Sequence, residues 1–143
     1  MKDIVFDTGI VTYSVNGKCD VTFNPTDPIF VKRLYSVIEQ LEKKQSEYES
    51  LFESNPEPKA LFDASEEMNR EMRELVDGIF DTPVCDKLFG NVSIYSLANG
   101  LPLWANLLFA IMDEIDIAIG KEEKATNPRI EKYTAKYAKY KRK

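Results

Sequence analysis

Histidine is absent from this chain of 143 residues, and with it go the commonest general base and the commonest metal-ligating side chain. Ser-His-Asp, Cys-His and HExxH chemistry are excluded by composition alone. Cysteine is almost as scarce, and Cys19 and Cys85 cannot complete a zinc site between them. They are expected to stay reduced and to serve as small buried hydrophobes. The glycines at 9, 17, 78, 90, 100 and 120 are scattered, with neither GxGxxG nor GKS/T, so no phosphate-cradling loop is encoded. A long apolar run is missing too. The stretch from Leu101 to Ile119 is interrupted by Asn106, Asp113, Glu114 and Asp116, and each of the three carboxylates would cost about 2.5 to 3.5 kcal/mol near a bilayer centre. It reads as a buried helix rather than a membrane span. Met1 to Asp7 carries acids and lacks the apolar core of a signal peptide, so export by that route is not expected.

What the chain does have is enough apolar material for one domain, with 43% hydrophobic and 30% charged residues, a balance that argues against wholesale disorder. The charge is unevenly spread. Residues 1–120 hold 10 basic and 21 acidic side chains, a net of −11, whereas residues 121–143 hold 9 basic against 3 acidic, a net of +6. An acidic body with a basic tail can signal an acidic partner, nucleic acid, or docking of the tail on the protein's own body.

Ile10 to Val15 and Lys18 to Phe23 are β-rich runs separated by Asn16-Gly17, the pair that tolerates positive φ in a type I′ turn. A two-residue loop would pair Val15 with Lys18 and put apolar groups on both faces of the hairpin. Such a hairpin is expected to lie on helices and to offer its second face for self-association. Asp27 and Pro28 then supply an N-cap and a first helical residue. Apolar positions 30, 34, 37, 38, 41, 48 and 52 predict one amphipathic helix to about Ser54, ended by Asn55-Pro56-Glu57-Pro58. A second helix is expected from about Lys59 to Phe80, with Leu61, Ala64, Met68, Met72, Leu75, Val76 and Ile79 inward and Glu66, Arg70 and Glu74 in solvent. Asp81-Thr82-Pro83 reads as the cap of a short helix that Gly90 closes. Ser93 to Ala98 reads as helical, with a strand as the alternative. Leu103 to Ile119, apolar nearly all round, is expected at the centre of a bundle or in an oligomer interface, with Phe109 and Ile117 on its far side. Asn127-Pro128 caps a last helix from Arg129 to about Lys141.

The fold class expected is therefore α+β, mainly α: an N-terminal β-hairpin packed on a helical bundle, with a basic C-terminal helix or tail. Residues 1–126 form a single globular domain in this reading, and 127–143 the basic, Tyr-rich segment. Asp113, Glu114 and Asp116 invite a metal reading, but at about 100° per residue they diverge around the helix, so no metal, cofactor or catalytic residue is assigned. The tail is the least ordinary segment. Tyr133, Tyr137 and Tyr140 recur at i, i+4 and i+7, with Lys136, Lys139 and Arg142 around them, and these six residues are the candidate partner-binding site. Basic side chains interleaved with aromatics also suit nucleic acid, although the acidic body repels phosphate.

Four strings carry a likeness: Val21-Thr22-Phe23-Asn24-Pro25-Thr26-Asp27, Pro83-Val84-Cys85-Asp86-Lys87-Leu88-Phe89-Gly90, Leu101-Pro102-Leu103-Trp104-Ala105-Asn106, and Ala125-Thr126-Asn127-Pro128-Arg129-Ile130-Glu131-Lys132-Tyr133. Across nearly the whole chain they resemble a family of short proteins encoded by tailed phages and prophages of Gram-positive bacteria, similar in size and acidity to siphophage tail assembly chaperones. The resemblance implies a non-enzymatic role in tail morphogenesis in the host cytoplasm: keeping the tape measure protein soluble and bringing tail tube subunits to it. A phage protein that inhibits or triggers a host defence system is the alternative, since a small acidic protein can occupy basic nucleic-acid sites. If Leu103 to Ile119 is core, Trp104→Ala should destabilise the chain by about 3 to 5 kcal/mol, read as a lowered denaturant midpoint. An unchanged midpoint would put Trp104 on the surface.

Overall fold

The computed structural model describes residues 1–54 and 56–141. It opens with β1 (Val11–Val15) and β2 (Cys19–Phe23), an antiparallel hairpin. Helix α1 (Pro28–Glu53) and helix α2 (Pro58–Phe80) follow, then the short α3 (Val84–Phe89). A two-residue ladder, β3 (Leu97–Ala98) with β4 (Leu101–Pro102), leads into α4 (Leu103–Lys124), and α5 (Arg129–Lys141) ends the described chain. Class and order agree with the sequence reading: a hairpin on helices, mainly α. Among the described residues no helix is long and apolar enough to cross a membrane.

The hairpin register corrects the sequence reading. Asn16 and Gly17 do take positive φ, 52° and 65°, and the Lys18 N–H donates to the Val15 carbonyl at 3.0 Å. Lys18, however, joins the loop, and Val15 pairs with Cys19. That one-residue slip moves every apolar side chain to one face. Cys19, Val21 and Phe23 are buried beside half-buried Tyr13 and Val15, while Thr12, Ser14, Asp20 and Thr22 face solvent. The hairpin thus has one apolar face, covered except at Val11, and the expected second one does not exist. Its outer face is tied by the Thr12 and Thr22 hydroxyls, 2.9 Å apart.

Capping fixes the helix starts. The Asp27 carboxylate accepts from the Ile29 N–H at 2.9 Å, with Pro28 at the first helical position. Helices α1 and α2 pack through Leu34, Leu41, Met72 and Val76, all fully buried. At one end of the pair Phe23 stacks on Phe30, with ring centroids 4.4 Å apart, and Phe80 tilts against both. Farther along, Tyr48 stacks on Tyr95 at 4.0 Å. Phe52, expected in the inward stripe, is exposed. Cys19 and Cys85 are free and buried, as expected.

Helix α4 lies against this pair rather than at its centre. Trp104, Leu107, Leu108, Ile111 and Ile115 are buried, but Asp113, Glu114, Asp116 and Ile117 are exposed and Phe109 is half-buried. The three carboxylates interrupt the apolar surface on that side, so only one face can leave water. The Trp104 indole N–H donates to Gln45 Oε1 at 3.1 Å and ties α4 to α1.

Residues 84–102 hold the other corrections. Asp81 does not cap α3; it ends α2 in the left-handed conformation, φ 54°. The α3 amide at Cys85 donates instead to the Asp77 carboxylate, 2.9 Å away on α2. Gly90 closes α3 as expected. Ser93 to Ala98 is not a helix, and only Leu97–Ala98 is strand. The segment hangs on α2 side chains: Asn69 Oδ1 accepts from the Ile94 N–H at 2.9 Å. The Arg73 guanidinium donates to the carbonyls of Gly90 at 2.7 Å and Val92 at 2.6 Å, and to Asp86 at 3.1 Å. Removing a charged donor from carbonyls so held costs about 2 to 3 kcal/mol. Arg73→Met should show that loss in the denaturant midpoint and accelerate hydrogen exchange at the Ile94 amide well before α1 and α2 open. Uniform exchange across all helices would show that residues 84–102 do not depend on Arg73.

Candidate functional site

The basic segment is a helix, as its cap signal indicates. The Asn127 side chain accepts from the Arg129 N–H at 3.0 Å, and Pro128 then enters with its preset φ. Ala125, extended at ψ 139°, separates α5 from α4. Every described side chain from Lys121 to Lys136 is exposed, so α5 is not folded back onto the acidic body it could have neutralised.

Tyr133 is the organising residue. Its ring is about half exposed and has three cations over it: the Arg129 guanidinium at 5.6 Å, and the Lys132 and Lys136 ammonium groups each at 5.4 Å. Cations held to an exposed ring in this way gain about 0.5 to 1 kcal/mol per contact. The result is one aromatic platform with a positive rim. Of the six candidate residues, the structure brings Tyr133 and Lys136 together. The side chains of Tyr137, Lys139 and Tyr140, although their backbone lies in α5, fall outside the described residues, as does the whole of Arg142.

The candidate set missed Arg129, Lys132 and Ile130. Ile130 is 67% exposed and stands one turn before Tyr133. The signal was available: positions 130, 133, 137 and 140 alternate in steps of three and four, the spacing of a seam that meets another helix or a groove.

Elsewhere the chemistry is quiet. Burial, reinforced by the Asp77 carboxylate, pushes the Cys85 thiol far up, the reverse of what a nucleophilic thiolate needs. Burial also raises Tyr95, with Glu47 and Glu71 adding to it. Among the described residues no three His, Cys, Asp or Glu side chains gather where they could hold a metal ion. The chain matches no family model, no curated protein and no solved structure.

Because the described part of α5 buries nothing, deleting residues 129–143 should leave the body intact. Its thermal midpoint should move by no more than about 2 °C, the scale of a change of about 0.5 kcal/mol. A larger drop would place α5 in the fold of the body.

Proposed function

We propose that this protein is a non-enzymatic binding factor of phage tail morphogenesis, a tail assembly chaperone that captures tape measure or tail tube protein through α5 in the cytoplasm of the infected or lysogenic host. The observation that carries the reading is the Tyr133 platform: an exposed aromatic ring on a free helix, rimmed by Arg129, Lys132 and Lys136. A helix of this kind fits a groove whose floor is apolar and whose walls are acidic, with Ile130 and Tyr133 as anchors. Protein is favoured over nucleic acid by the rest of the chain. Residues 1–120 carry a net charge of −11, a field that opposes a polyphosphate beyond the reach of a single helix. The identity of the partner rests on the resemblance to tail assembly chaperones, and the absence of histidine and the protonated Cys85 support a role without catalysis.

The test is recovery of a tagged full-length chain from phage-infected cells, with its partners identified. Tape measure or tube protein supports the reading; a host enzyme in their place would turn it into the inhibitor of a host system. Tyr133→Ala should weaken capture about 30-fold, as expected when a buried aromatic anchor is truncated. Lys136→Ala should weaken it no more than about fivefold, because a rim charge is screened. Nucleic-acid binding that needs α5 and falls steeply with salt would overturn the proposal.

A further inference from the structure

An apolar arm and an open groove meet at one corner of the body, and no described residue of α5 lines the groove. Residues 1–10 belong to no helix or strand, and their side chains are the wrong kind for solvent: Ile4, Val5 and Phe6 are 87%, 84% and 73% exposed. The base of this arm is nevertheless clamped. The Asn24 amide donates to the Thr8 carbonyl at 2.9 Å, and the Gly9 N–H donates to Asp7 Oδ1 at 2.8 Å. Asn24 is itself fixed, its Oδ1 accepting from the Thr26 N–H and hydroxyl. Gly9 takes φ +75°, where a Cβ would come within 2.8 Å of the Asn24 amide nitrogen, so the exit direction of the arm is set by glycine. An arm held at its base loses less freedom on binding than a loose tail does.

Beside the clamp lies a groove of about 700 Å³ between residues 7–13 and the outer face of α4. Ile10, Val11 and Ile117 line it and are exposed, while Glu114, Lys121 and Glu122 stand along it. Asp7 to Ile10 form part of the wall, so the arm departs from the rim. To fill its own groove it would have to double back across the Gly9 clamp. A second copy faces no such obstacle. Its arm carries charges complementary to the groove, Lys2 against Glu114 and Glu122 and Asp3 against Lys121, and an apolar run to match Ile10, Val11 and Ile117. The arm and the groove are on the same chain, so two copies related by a two-fold axis each fill the other's groove, and the exchange closes at two copies.

We infer that two copies of this chain associate by exchanging residues 1–6, each arm laying Ile4, Val5 and Phe6 into the groove lined by Ile10, Val11 and Ile117 of the other. This goes beyond the function proposed above and does not rest on it. It also replaces the basis for self-association: the expected second apolar face of the hairpin is absent, and the arm takes its place.

Sedimentation of the full chain tests it, alongside Phe6→Asp in the arm and Ile117→Asp in the groove. Both side chains are exposed, so each variant should keep the wild-type circular dichroism. The wild type should sediment as a dimer, and each variant should raise the dimer dissociation constant at least about 30-fold. An equal mixture of the two should recover part of the association, because an Ile117→Asp copy still has a sound arm and a Phe6→Asp copy a sound groove. A wild-type monomer at high micromolar concentration would overturn the inference. A dimer insensitive to either change, or a mixture no better than its components, would do the same, the former pointing to α5 or another face as the contact.

Discussion

The fold depends on one polar stripe of α2. Asn69, Arg73 and Asp77 succeed each other at intervals of four residues and thus share a face of the helix, and each holds a different piece of the connection that follows. Asp77 takes the amide at the start of α3, Arg73 takes the carbonyls after α3 ends, and Asn69 takes the Ile94 amide. Residues 90–96, between α3 and β3, have no helix or strand to satisfy their own backbone, and buried amides and carbonyls without partners are costly. The stripe supplies those partners. It thereby sets Val84, Cys85, Ile94 and Tyr95 into the core and fixes where α4 begins, since the Leu103 and Trp104 amides bond back to Ser96 and Ile94.

Consequences run outward from there. With α4 started in that place, Trp104 reaches Gln45 of α1, and the buried face continues through Leu108, Ile111 and Ile115. The opposite face is left to Glu114 and Ile117, which border the groove beside the N-terminal arm. A largely shielded guanidinium, its side chain 13% exposed, is thus linked through ordinary packing to a surface that it does not touch.

Much of the architecture was legible in local chemistry. Asp27-Pro28, Gly90 and Asn127-Pro128 mark helix ends by mechanisms that act within a few residues, and the structure uses all three. What was not legible depended on distant partners. Asn16-Gly17 specifies a tight turn but not whether Lys18 belongs to the loop, and the register follows from which face gathers the apolar side chains on the helices. Val92, Ile94 and Tyr95 are compatible with helix or strand, and Asn69 and Arg73 settle them as neither. Asp81 has the composition of an N-cap, yet Asp77, a full turn earlier, does that work across space. At the candidate site, the aromatic spacing was readable while the gathering of Arg129 and Lys132 on Tyr133 was not, since it requires side-chain directions along a formed helix.

On the proposed reading, the charge partition lets α5 be both free and specific. Residues 1–120 at −11 attract a helix from the +6 segment, but attraction between solvated charges is weak without apolar burial to accompany it. The exposed outer side of α4, with Asp113, Glu114 and Asp116, offers α5 charge with little apolar floor apart from Ile117. A surface that joined both properties would hold Ile130 and Tyr133 more firmly than the body does. If α5 captures a partner as proposed, the acidic body acts as a weak competitor: it lowers affinity for partners offering charge alone and leaves α5 to those that also bury its aromatic platform. Selectivity of this kind comes from what the body fails to provide, and it needs no added repulsive element on α5 itself.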